Sequence, residues 1–234
     1  MAAAEERLRL NSQTLLSNAI PVGQMLAETS QELAGASCVI RGTRENSIKI
    51  TKETVSIRIM EYVNFEGYPT EACPDFKRAN VNDLILSIIG PILWDFNIVL
   101  DEGDILLRRQ KELISTDSKT GGHGEFVLIE EAAFGKELLI LIIESKPSPG
   151  ETIKHCLLAM KDMWDNNAKG RAYGFVTTGE DWRMVRYDGI AFQVTERFAA
   201  MFTTGADERD RWIKEILVLV DCIIAALSGR WPAS

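Results

Sequence analysis

Apolar residues fall at helical spacing near both ends of this chain and in short strand-like runs between them. Over 1–34, Leu8, Leu15, Leu16, Ile20 and Leu26 punctuate polar sequence, and Pro21-Val22-Gly23 interrupts it, which predicts helices with a break. Over 37–59 the pattern alternates, most clearly at Ile48-Lys49-Ile50-Thr51 and Val55-Ser56-Ile57-Arg58-Ile59. A period of two predicts a hairpin turning at Arg44-Glu45-Asn46, or a strand running into a helix. Gly67, Pro69 and Pro74 mark 64–78 as an irregular connector. The apolar run 84–93 then predicts a helix, with Asn82 and Asp83 as its cap and acidic first turn and Gly90-Pro91 as a kink. Strand-like runs follow at 104–114, 124–129, 137–144, 172–177 and 183–187, with a helix at 151–166. In 207–227, Trp212, Ile216, Leu219, Val220, Ile223 and Leu227 recur at helical spacing, so a C-terminal helix packs on the core or forms a dimer contact.

The run Leu138-Leu139-Ile140-Leu141-Ile142-Ile143 has the composition of a strand buried on both faces, and it ends in Glu144-Ser145-Lys146. Alternation along a strand puts Glu144 and Lys146 on the same side. A carboxylate there can hold a magnesium ion, and an ammonium beside it can orient an attacking water or stabilise developing negative charge. The plainer reading is a strand end with a surface ion pair. The preceding run, 124–129, follows Gly121-Gly122-His123-Gly124 and is joined to the next by 130–136, which contains Gly135. That spacing predicts a hairpin in which Glu125, at the start of one strand, lies near Glu144, at the end of the other. Carboxylates so placed repel one another unless a cation sits between them.

This succession resembles the PD-(D/E)XK nuclease superfamily: an acidic residue beginning one strand, an E-x-K ending the next, then a helix. The downstream stretch from Tyr173-Gly174-Phe175 to Arg186-Tyr187 is similar to restriction-endonuclease-like domains of fungal proteins, including Crinkler-type effectors. The resemblance covers about residues 80–200. It implies an α/β fold: a mixed sheet in an α-β-β-β-α-β core, with an N-terminal helical accessory region at 1–79 and the core plus C-terminal helix at 80–234. It also implies Glu125 and Glu144 as metal ligands, Asp83 as a further metal or water-positioning ligand, and Lys146 as the residue that positions or activates water. The expected activity is magnesium- or manganese-dependent hydrolysis of DNA or RNA phosphodiesters. The alternatives are a catalytically inactive nuclease-shaped effector or interaction module, and a small-molecule hydrolase on the same scaffold.

One departure bears on chemistry. The superfamily usually has Asp where this chain has Glu125, and the extra methylene moves the carboxylate by about one C–C bond in a class of site sensitive to about 1 Å. Asp117, in the polar run Ser115 to Thr120, is a fallback ligand. His155 and Cys156 cannot form a dyad, because helix neighbours point about 100° apart. His155 is either an auxiliary site residue or a helix-surface histidine, and Lys154 competes for that position. His123 in its glycine turn is expected to be solvated.

Composition sets outer limits. The chain has 234 residues, 46% hydrophobic and 26% charged, as in folded soluble proteins. Cys38, Cys73, Cys156 and Cys222 show no C-x-x-C spacing, which disfavours structural zinc; two of them read as small buried hydrophobes in a reducing compartment. The N-terminus lacks a cationic start with an apolar core, and 213–227 is too short and too charged to span a bilayer. An intracellular protein, cytoplasmic or nuclear, is expected, with no membrane partner. The formal charge of −8, from 26 basic and 34 acidic residues, weighs against nucleic-acid binding unless cations cluster. Arg108, Arg109 and Lys111, then Lys169 and Arg171, then Arg183 and Arg186, either line one groove or lie on solvated faces.

Overall fold

The computed structural model describes residues 12–34, 41–67, 78–99, 104–113, 122–132, 136–145, 149–167, 171–179, 181–199 and 206–228. Its helices are α1 (Ser12–Ser17), α2 (Val22–Ala34), α3 (Arg41–Glu66), α4 (Arg78–Trp94), α5 (Pro149–Asn166) and α6 (Ala206–Ser228). Its strands are β1 (Ile105–Leu113), β2 (Gly122–Ala132), β3 (Lys136–Ser145), β4 (Ala172–Thr177), β5 (Asp181–Tyr187), β6 (Phe192–Val194) and β7 (Phe198–Ala199).

The strands form one seven-stranded sheet in the order β1-β2-β3-β4-β5-β6, with β7 also pairing β5. Among the described strands only β3 and β4 pair in parallel, and α5 connects them. Parallel neighbours need such a crossover, whereas β1, β2 and β3 run antiparallel. The class is therefore α/β with a mixed sheet.

Alternating side chains send the sheet into two cores. Phe126, Leu128, Ile143, Tyr173, Phe175, Trp182 and Met184 meet buried residues of α2, α3, α4 and α6 on one face. Val127, Ile129, Ile142, Val176 and Val185 meet α1 and α5 on the other. Helices on both faces explain why β3 carries an unbroken apolar run. In the first cluster Met25, Val55 and Ile59 pack with residues of the sheet, so the N-terminal helices help close its core.

Three expectations are corrected. Residues 41–59 form no hairpin and no strand, but the long helix α3. Its buried positions Ser47, Thr51, Val55, Ile59 and Tyr62 follow a helical step, while the alternating Ile50 and Ile57 are about half exposed. The hydroxyl residues in that stripe disguise the helical period. Asn82 and Asp83 do not cap α4, which begins at Arg78 and places them in its second turn. Gly122 and Gly124 form no turn either, because β2 already starts at Gly122 and His123 pairs with Glu112; Gly121 lies outside the described residues.

Pro91 lies inside α4, which passes into a π-helical turn at Asp95–Val99. Proline lacks the N–H that would close the local bond, and a widened turn is one way to absorb that. Ala79–Ile98 is long and apolar enough to cross a membrane by length and composition. Here its Leu84, Ile85, Ile88, Ile89 and Ile92 are core residues.

Candidate active site

The β2–β3 ladder pairs Phe126 with Ile143, Val127 with Ile142 and Leu128 with Leu141. Glu125 and Glu144 each lie one residue beyond the Phe126–Ile143 pair, and toward the loop the register shifts by one between Leu128 and Ile129. Both glutamates are only 2% exposed. Buried carboxylates are rare without hydrogen bonds or a cation, because desolvation strongly disfavours the charged form.

The Glu125 carboxylate is engaged by α4. Asn82 of α4, itself 7% exposed, donates from Nδ2 to Glu125 Oε1 at 2.9 Å. Asn82 Oδ1 accepts from Ser145 Oγ at 3.1 Å, which ties the amide to β3. Glu144 acts towards α5. Burial first, and the Glu144 charge second, push the fully buried Cys156 thiol well above its ordinary pKa. The thiol sits near Met160 Sδ at 3.7 Å and the Phe175 carbonyl at 3.9 Å, as a packed hydrophobe and no nucleophile.

The outer strand is irregular at the same level. Its register matches Arg109 with Phe126 and Lys111 with Gly124, and skips the intervening Gln110 and Glu125. Gln110 has φ = +49°, the one positive φ at a non-glycine among the described residues. Left-handed backbone at a residue with a Cβ is a local cost of about 1–3 kcal/mol, and such strain tends to collect at functional sites.

The remaining candidates divide as follows. Lys146 and Asp117 lie outside the described residues, as does Lys169. Asp83 is exposed, about 100° round the helix from Asn82. Among the described residues no group of three or more His, Cys, Asp or Glu side chains converges on one point. His155 is exposed while its neighbour Cys156 is buried, as their angular separation requires. Arg108 pairs with Glu131 at 3.3 Å, and Arg109 stands 5.7 Å over the Phe126 ring. Arg171 is exposed at the start of β4. Arg183 donates to the Thr195 carbonyl at 2.8 Å. Arg186 lies on no solvated face: it is 8% exposed and paired with Glu28 at 2.7 Å.

A separate groove of about 740 Å³ runs between α3 and α4, past Ile50, Leu86, Pro91 and Trp94. It contains neither buried glutamate, and its floor residue Asp95 accepts a hydrogen bond from Ser47. The glutamate pair is the better candidate for chemistry, because it combines buried charge with a defined polar network. The sequence singled out both glutamates but not their partners. Asn82 was disguised as a cap, and Ser145 as the spacer of E-x-K.

No family model, no curated protein and no solved structure matches this chain.

Proposed function

We propose that this chain is a divalent-cation-dependent phosphodiester hydrolase of the PD-(D/E)XK type, acting on DNA or RNA. The observation that carries the reading is the burial of two carboxylates, Glu125 and Glu144, on the neighbouring strands β2 and β3, each one residue beyond the Phe126–Ile143 pair. The β3-α5-β4 crossover beside them supports it. Two buried carboxylates offer the hard oxygen donors that magnesium or manganese prefers, and a cation would relieve their mutual repulsion. When bound, such an ion supplies Lewis acidity and an activated water. Glu125 and Glu144 would hold it. Lys146, one residue past the strand, would hold or orient the attacking water through its ammonium protons. Asn82 and Ser145 keep the glutamate end of β2 in place. Arg108, Arg109, Lys169 and Arg171 would be the phosphate contacts.

The test is cleavage of supercoiled DNA and single-stranded RNA in magnesium or manganese. Lys146→Ala and Glu144→Gln are expected to lose cleavage while keeping their circular dichroism spectra. Full activity of Lys146→Ala, or of the wild-type protein in EDTA, overturns the mechanism. A second reading, a nuclease-shaped interaction module without catalysis, draws on the charge of −8 and on the internal pairing of Arg186. It gains if neither magnesium nor manganese shifts the melting temperature.

A further inference from the structure

We infer that Asn82 is a positioning residue that pre-sets the Glu125 carboxylate for cation binding. The inference rests on the metal-dependent reading above. Asn82 joins parts of the chain far apart in sequence: Glu125 is 43 residues away and Ser145 is 63. It thereby ties α4 to β2 and β3 beside the Phe126–Ile143 pair, next to both glutamates. The amide orientation follows from chemistry. An ionised carboxylate only accepts hydrogen bonds, so the NH2 end must face Glu125, and the carbonyl end is then left for the Ser145 hydroxyl.

A buried asparagine in the interior of an apolar helix is otherwise a poor choice. Its helix propensity is below that of leucine, and its burial costs desolvation unless both ends are satisfied. In α4 its neighbours Leu84, Ile85, Ile88 and Ile89 are all fully buried apolar residues. The polar exception is the one that reaches a carboxylate.

Glutamate has more rotatable bonds than aspartate, and fixing a side chain of that kind costs about 1.5–2 kcal/mol in rotamer entropy. The Asn82 hydrogen bond meets that cost during folding, so it is not charged against cation binding.

The experiment uses the full chain and manganese chloride. Manganese affinity is measured by calorimetry, cleavage as kcat and KM, and folding by urea melts. Asn82→Ala is expected to weaken manganese binding by about 10–100-fold, the usual effect of losing a partner that orients a ligand. KM for the nucleic acid at saturating manganese should stay within about twofold, since the residue is placed to act on Glu125 and not on substrate. Ser145→Ala should weaken manganese binding in the same direction but less, and Ser145→Thr, which keeps a hydroxyl, should restore it. A merely structural Asn82 would lower stability and leave the manganese affinity of the folded fraction unchanged, and that result overturns the inference. If Asn82→Ala does not fold, the Ser145 pair decides: equal affinity in Ser145→Ala and wild type overturns it. A wild-type protein with no manganese signal overturns the metal-dependent reading itself, and this inference with it.

Discussion

Gln110 offers a test of the strand geometry beside the candidate site. Its φ of +49° falls in the left-handed region, and it is exposed, so trimming its side chain removes little packing. A left-handed conformation costs a residue with a Cβ about 1–2 kcal/mol that glycine does not bear. In an ordinary strand the preference is reversed, and glycine is about 0.5–1 kcal/mol worse than alanine because its unfolded chain is freer. At this position relief of strain should win. We predict that Gln110→Gly is more stable than Gln110→Ala by about 1 kcal/mol, or about 2–4 °C in Tm for a chain of this size. Gln110→Val should be the least stable of the three, because a branched Cβ tolerates this backbone worst. Urea and thermal unfolding of the full chain, followed by circular dichroism, measure all three. If the alanine variant equals or exceeds the glycine variant, residue 110 is not left-handed. The break in the β1–β2 ladder opposite Glu125 would then be no fixed feature of the fold.

Other substitutions and conditions give equally specific expectations. A Cβ at Gly174 would sit 2.6 Å from Met160 Sδ and 2.8 Å from Cys156 Sγ. Gly174→Ala should therefore cost about 1–3 kcal/mol in urea melts, and should cost less when introduced into Met160→Ala than into the wild type; an unaffected midpoint refutes the close packing of α5 on β4. A hydrogen bond from Gln24, helped by the Arg186 guanidinium, holds Glu28 below its ordinary pKa of 4.5. A depressed carboxylate contributes stability above its unfolded pKa and loses it as pH falls through the folded one. Glu28→Gln should flatten the acid limb of the stability profile below about pH 4.5, and an unchanged limb refutes the pairing. Burial raises the thiols of Cys156 and Cys222, the latter to about 12. Iodoacetamide should leave both unmodified in the native protein and label both in urea, as peptide mapping by mass spectrometry would show.

The legible parts of the fold were those whose signal is local. The runs at 124–129, 137–144, 172–177 and 183–187 fall inside or along β2, β3, β4 and β5, because apolar residues bounded by glycine, proline and charge have few other uses. The helix 151–166 starts two residues inside α5 and ends with it, and 207–227 falls one residue short of α6 at each end. Helix α3 was not legible. Its alternating isoleucines imitate a strand, and the stripe that decides the matter includes Ser47 and Thr51, whose burial depends on partners elsewhere. Ser47 is satisfied by Asp95, 48 residues away, which no local pattern announces. The site divides in the same way. Glu125 and Glu144 were found because each stands at the edge of an apolar run; the register shift between Leu128 and Ile129 has no signal in the sequence. Asn82 was not placed, since a polar residue before an apolar run resembles a cap until the start of the helix at Arg78 is known. Gln110 carries no signal of its backbone in its identity.

The acidic balance of the chain leads to a last prediction about its substrate. Of the cations near the sheet, Arg186 is buried against Glu28, and Arg183 is bonded to the Thr195 carbonyl. Arg186 cannot meet a phosphate without giving up that buried pair. Arg108 remains usable, because its partner Glu131 is 58% exposed and an exposed ion pair is worth at most about 1 kcal/mol. If Arg108, Arg109, Lys169 and Arg171 are the phosphate contacts, about four counterions are released on binding. The slope of log K against log salt should then be near −3.6 for duplex DNA and near −2.8 for a single strand. Titration of a labelled oligonucleotide with Glu144→Gln protein across potassium chloride concentrations measures it. Arg108→Ala should make the duplex slope shallower by about 0.9 and weaken binding of all sequences alike. A slope steeper than about −6 would require a wider basic footprint than these residues provide. No salt dependence at all would mean that binding does not run through phosphate.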